Sequence, residues 1–119
     1  MKVRNSIVIP ALAVPAMLLM FNINVHAQSD PAAKDLKAAQ QLYKSKCSLC
    51  HADDGSGSSI TGKQLGAKNL TSDEIQKMSD DELAAAINKG KGKMPAFGGK
   101  LNDAQIKGLV AEIRHLAGK

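Results

Sequence analysis

The chain has 119 residues and a formal charge of +5, which is length for one small domain and a basic surface suited to an acidic partner. Aromatic residues make up 3% of it and tryptophan is absent; a lysine excess without stacking rings argues against nucleic acid. So few large side chains leave a small domain short of core. Either the fold is marginal, or a bulky apolar group that is not an amino acid fills its middle.

Lys2 and Arg4 precede an apolar run from Ile7 to Phe21, and "VHA" (Val25, His26, Ala27) offers small residues where a signal peptidase cuts. This grammar predicts an export signal over residues 1–27, cleaved after Ala27. The uncharged stretch from Ser6 to Val25 is long enough to span a bilayer, so an uncleaved anchor is the alternative. Pro10 and Pro15 inside it make a poor rigid helix. Cleavage leaves residues 28–119, exported and expected in the periplasm, with Tyr43 and Phe97 as the remaining aromatics.

Residues 28–34 read as a short lead-in, and 35–119 as the domain. Asp30 and Pro31 have the chemistry of an N-cap and a first helical position. Ala32, Leu36, Ala39, Tyr43 and Cys47 then recur at steps of three or four, a helical stripe that Cys50 continues. Asp53 to Asn69, "DDGSGSSITGKQLGAKN", reads as one long loop, and a loop of that length is usually functional. Thr71 to Met78 reads as a short helix with a capping box from Thr71 to Glu74. Ser79 to Lys89 is another, boxed by Ser79 and Glu82 and stopped by Gly90. "KGKGKMPAFGGK" is a turn-rich loop. The last helix starts at Asn102 with Gln105 as its box partner, and carries Ile106, Leu109, Val110, Ile113 and Leu116 on one face. No stretch alternates with period two, so the expected fold class is all-α: about four helices with long loops.

"CSLCH" holds both cysteines, Cys47 and Cys50, followed at once by His51. Three chemistries use such a pair. A structural zinc wants four N or S ligands, and adjacent Cys50 and His51 do not easily share one tetrahedron. A thiol–disulfide site normally follows a strand and opens a helix, whereas this pair closes a helix; a plain disulfide here would close a tiny loop and add little stability. The third is covalent haem attachment, which the C-x-x-C-H spacing signals directly. Two thiols on one helical turn match the two vinyl groups, and the next histidine is carried under the iron. The iron then takes a sixth ligand or keeps an open site. Met94 is the favoured candidate: it lies in a loop, and Pro95 biases it towards extended backbone. Core packing is its alternative role. Met78, at a helix end near Ile75, is assigned to the core. His115 is the other candidate ligand, although a histidine in a last turn more often caps or faces water.

With these residues in hand, the sequence resembles the class I mono-haem c-type cytochromes from about Leu36 to Leu116. "LYKSKCSLCHADDGSG" resembles the first helix and haem clamp of that family, and "DELAAAINKGKGKMPAFGGKLNDAQIKGLVAEIRHL" its methionine loop and last helix. The resemblance implies a few helices around one covalent haem c, with the first and last helices crossing. It makes Cys47 and Cys50 the thioether anchors, His51 the proximal ligand and Met94 the distal one. The chain departs from the family at Ala39, where glycine is common; at Glu112, where an aromatic is common; and in "AKNL", where a proline often precedes Leu70. Glu112 predicts a weaker or more open helix crossing.

The expected function is a monomeric electron carrier, not an enzyme, shuttling single electrons between a protein donor and a protein acceptor. It would meet membranes only through partner complexes or an uncleaved signal. Lys89, Lys91 and Lys93 lead up to Met94, and Lys63, Lys68 and Lys100 lie in loops that could complete a rim for an acidic partner. The alternatives are a haem enzyme or sensor with an open or labile sixth site, and a CxxC thiol–disulfide oxidoreductase.

Overall fold

The computed structural model describes residues 31–119. The expected signal, its cleavage point and the Asp30 cap lie outside that range. Six helices follow in order: α1 (Pro31–Lys46), α2 (Ser48–His51), α3 (Ile60–Leu65), α4 (Asp73–Gln76), α5 (Asp80–Lys89) and α6 (Asp103–Ala117). Among the described residues there is no strand, only two isolated bridges, so the all-α expectation holds. The count exceeds four because the first helix breaks at Cys47 and because the stretch expected to be loop contains α3.

That second difference has a local cause. Ser59 takes an extended backbone and its hydroxyl accepts the Gly62 N–H at 2.8 Å, a side-chain cap. Gly66 closes the turn in the left-handed conformation at φ 70°. Ser59 also donates to the Leu49 carbonyl at 2.7 Å, with the Cys50 carbonyl 3.0 Å away. So α3 is tied to α2, and Gly62 sits so close that a Cβ there would overlap the Cys50 carbonyl oxygen.

The boxes at Ser79/Glu82 and Asn102/Gln105 form as expected, each with both reciprocal bonds. The Thr71/Glu74 box does not form. Thr71 instead gives its N–H and hydroxyl to Asn69 Oδ1 at 2.9 and 2.8 Å, Glu74 turns to Lys68, and α4 starts two residues later behind Ser72, which makes no side-chain cap. An Asx turn at Asn69 competes for the donors a box would need.

The stripes of α1 and α6 pack across each other. Ala39, Tyr43, Ile106, Leu109, Val110, Ile113 and Leu116 are all buried, each large apolar side chain contributing about 1.5–3 kcal/mol. The glycine that lets these helices approach is Gly108 on α6: a Cβ there would stand 3.3 Å from Ala39 Cβ. One small residue at the crossing suffices, and here it is on the opposite helix from where the family resemblance placed it. Glu112 does not hold the crossing open. It is 3% exposed, with Oε1 3.9 Å from Lys119 Nζ and Oε2 without a partner.

Arg114 joins α6 to the α4–α5 corner. It donates to the Gln76 and Met78 carbonyls and to Asp80 Oδ1. This fixes the segment that carries Met78 to the core.

Candidate functional site

The helix break at Cys47 places three chemical side chains within little more than one turn. Cys47 closes α1, its N–H bonded to the Tyr43 carbonyl, and the Cys50 and His51 amides return to the Cys47 carbonyl at 3.1 and 2.9 Å. This turn keeps both sulfurs and the imidazole against the same space. That space is a cavity of about 380 Å³, within the range of pockets that hold organic cofactors. Its wall is mainly apolar: Tyr43, Leu70, Ile75, Leu83, Ile87, Phe97, Leu109 and Ile113 all face it. These side chains are also most of the hydrophobic core. The core is a shell around the cavity, which is why so aromatic-poor a chain can fold around a bulky apolar group.

All four residues singled out from the sequence, Cys47, Cys50, His51 and Met94, line this one cavity. Met78 lines it too and packs on the core. His115 is exposed on α6 and is not part of the wall, as a last-turn histidine suggests.

Met94 is delivered by a tight turn. Lys91 N–H donates to the Met94 carbonyl at 3.2 Å, and Met94 N–H returns to the Lys91 carbonyl at 3.0 Å, with Gly92 at φ 59° inside the turn. Beyond it, Phe97 N–H donates to the Ile87 carbonyl and Gly98 N–H to the Asn88 carbonyl, at 3.0 and 2.9 Å. The methionine loop is therefore pinned to the end of α5. Gly90 lies beneath it at φ 72°, with Met94, Pro95 and Ala96 backbone atoms packed where a Cβ would be. The sequence marked Gly90 as a helix stop; its second role, clearance for the loop, depends on contacts four to six residues away.

His51 is oriented by a residue that carries no sequence signal. Its Nδ1 lies 2.9 Å from the Lys68 carbonyl oxygen. A carbonyl only accepts, so Nδ1 carries the proton of this bond, and in the neutral ring Nε2 is the nitrogen with the lone pair. That is the tautomer a metal-bound imidazole uses, with the outer hydrogen bond setting the ring's angle.

The cysteines are both free and half-buried. Burial pushes the Cys47 thiol up to about 11, with Cys50 adding to the effect. A redox-active thiol needs the reverse, a thiolate stabilised at neutral pH. Nor do the described residues contain a group of three or more His, Cys, Asp or Glu side chains placed to hold a metal ion, which leaves no tetrahedral zinc set. An apolar cavity with two thiols, an imidazole with a free Nε2 and a thioether on its walls fits a haem attached through the cysteines and held at its iron by nitrogen and sulfur.

The mouth of the cavity is basic. Lys46, Lys68, Lys91 and Lys93 lie on its wall and are exposed. Lys63, Lys89 and Lys100 do not line it, and Lys63 belongs to α3 rather than to a loop. Lys46 was missed because it lies on α1 and becomes a neighbour of Lys68 and Lys91 only through the fold. Lys68 pairs with Glu74 at 3.1 Å, both side chains about two-thirds exposed, a contact worth little energetically.

Comparison with known proteins agrees with this geometry. Residues 34–111 match the family described as cytochrome c oxidase, cbb3-type, subunit III. The chain is 34% identical over 104 residues to a cytochrome c6 of Picosynechococcus sp., covering 82% of this chain and 88% of that one. It is 34% identical over 93 residues to the cbb3-type oxidase subunit FixP of Bradyrhizobium diazoefficiens, but spans only 30% of that longer protein. Among solved structures, the KustC0563 c-type cytochrome superposes with a TM-score of 0.60 at 32% identity, covering 66% of this chain and 95% of that one. The cavity at the helix crossing and these likenesses lead to one conclusion: the chain belongs to the class I c-type cytochrome family, carries covalent haem c and functions as an electron carrier.

Proposed function

We propose that Cys47 and Cys50 anchor the haem through two thioethers, that His51 and Met94 are the axial iron ligands, and that the protein turns over no substrate. The observation that carries this reading is that Cys47, Cys50 and His51, on one turn, and Met94, more than 40 residues later, line one apolar cavity. Haem supplies one-electron chemistry. The protein's part would be to hold the iron through His51 and Met94, which would leave no site on it for a substrate, and to exclude water with an apolar wall. A neutral thioether favours ferrous iron relative to a second imidazole, which gives a comparatively high potential.

Lys46, Lys68, Lys91 and Lys93 form the rim at which an acidic redox partner docks, and the protein acts as a monomer. No helix among the described residues is long and apolar enough to cross a membrane, and the N-terminal grammar supports export to the periplasm with cleavage after Ala27.

The test is an oxidised sample of the exported protein. Sulfur ligation gives a weak red charge-transfer band, and Met94→Ala abolishes it; a five-coordinate spectrum with peroxide turnover in the wild type sinks the carrier reading. Mass spectrometry of the same sample reads the cleavage site, and denatured protein yields no titratable thiols when both cysteines are thioethers. Electron exchange with an acidic partner slows as salt rises; rates independent of ionic strength sink the rim.

A further inference from the structure

Ala52 is the only non-glycine residue with positive φ among the described residues, at φ 62°. Its ψ of 167° puts it in a region that is essentially reserved for glycine. It directly follows His51, so its backbone angles set how the chain leaves the imidazole-bearing residue. Such a conformation persists only where surrounding bonds over-determine it.

Those bonds are visible. Ala52 N–H donates to the Ser48 carbonyl at 2.9 Å, and Gly57 N–H to the His51 carbonyl at 2.8 Å. The Ala52 carbonyl accepts the Gly55 N–H at 3.3 Å and the Tyr43 hydroxyl at 2.9 Å. The first three are local to the turn and would move with it. Only the Tyr43 bond comes from α1, anchored outside the turn. Tyr43 is 2% exposed and packed in the core with Leu109, so its ring is anchored independently of the loop. Burial pushes the phenol above the usual tyrosine range, and a carbonyl only accepts, so the hydroxyl is the donor in this bond.

We propose that Tyr43 is a positioning residue for His51, its hydroxyl holding Ala52 in the glycine-like conformation that places the His51 backbone, while the Lys68 carbonyl holds the ring. The proposal rests on His51 being an iron ligand. It follows that strain and clamp are coupled: without the hydroxyl the turn relaxes and takes His51 with it, whereas with glycine at position 52 there is no strain to hold and the hydroxyl becomes dispensable.

The experiment uses haem-loaded wild type, Tyr43→Phe, Ala52→Gly and the double variant. It reads amide hydrogen exchange at Ala52 and Gly57, the hyperfine-shifted His51 ring resonances and the midpoint potential. Wild type is measured first: absence of covalent haem, or a His51 ring without hyperfine shifts, overturns the ligand reading itself before any variant is compared. With that reading standing, Tyr43→Phe lowers protection at Ala52 and Gly57 by roughly fivefold or more, the worth of one hydrogen bond. It also shifts the His51 resonances and the potential, while Leu109 in the core keeps its protection. In the Ala52→Gly background the same substitution changes protection by less than about twofold, the non-additivity of coupled sites. Unchanged His51 resonances in a folded Tyr43→Phe protein, or equal effects in the two backgrounds, overturn the proposal. Should Tyr43→Phe fail to take up haem, Ala52→Gly alone decides: it keeps the wild-type potential with at least wild-type protection at Gly57, and a loss of protection there refutes the stored strain.

Discussion

Gly90→Ala tests whether the methionine loop is held by the clearance beneath it. Gly90 has φ 72° and ψ 169°, a backbone state that costs any other residue about 1–3 kcal/mol. A Cβ at this position would stand 2.6 Å from the Met94 carbonyl oxygen, 2.8 Å from Ala96 N and 2.9 Å from the Pro95 carbonyl carbon. All three are backbone atoms, so no side chain can rotate away, and forced displacement adds about 1–3 kcal/mol. The sum, about 2–6 kcal/mol, is large beside the ~5–15 kcal/mol that holds a domain. The turn is the cheaper part to move, because ahead of the bonds from Phe97 and Gly98 to α5 it is closed by only the two bonds between Lys91 and Met94. Gly92→Ala is the control. Gly92 also has a positive φ, 59°, but nothing lies within 4 Å of its Cβ position, so only the left-handed backbone is penalised, at about 1 kcal/mol. With Met94 as the sixth ligand, added imidazole competes with it, and weakening the loop raises the apparent imidazole affinity by the same free energy. At 1.4 kcal/mol per tenfold, Gly90→Ala raises it about 30-fold or more and Gly92→Ala about fivefold. Spectroscopic titration of the oxidised protein measures both. Equal effects of the two substitutions, or none, would refute the argument that backbone contact at Gly90 seats the loop.

Gly108→Val forces a branched side chain against Ala39 at the α1–α6 crossing and lowers stability by about 1–3 kcal/mol; thermal unfolding measures it, and Ala39→Gly in the same chain restores part of the loss. Arg114→Met removes charged donors from the Gln76 and Met78 carbonyls and costs about 2–3 kcal/mol, read as a fall in the denaturant midpoint without a change of slope. Ser79→Ala opens the α5 box and costs about 1 kcal/mol. The Ser79 amide and hydroxyl hold the Glu82 carboxyl below its ordinary range. A depressed folded-state value stabilises above the unfolded pKa and is lost as pH falls through the folded one. The stability gap between wild type and Glu82→Gln is therefore present at neutral pH and closes in acid; a gap that widens in acid contradicts the box.

Much of what is decided within one helical turn was legible in the sequence. The cysteine pair and His51 share a face because of their spacing. Ser79 with Glu82 and Asn102 with Gln105 cap helices through partners three residues away, and the stripe from Ile106 to Leu116 is buried as its period demands. The same local grammar failed where two local options competed: Asn69 outbid the Thr71 box, and Ser59 with Gly66 wound a helix inside a stretch whose composition reads as loop. What only the tertiary structure decided are the contacts between distant backbones. The carbonyl that orients His51 belongs to a residue 17 positions away, and any residue type has a carbonyl. The clearance glycine of the helix crossing sits at 108 because either helix can supply it. Which lysines edge the cavity depends on how α1, the 66–68 loop and the methionine turn converge. Residue identity determined what this protein can bind; the angle and seating of the groups that bind it come from the chain packing against itself.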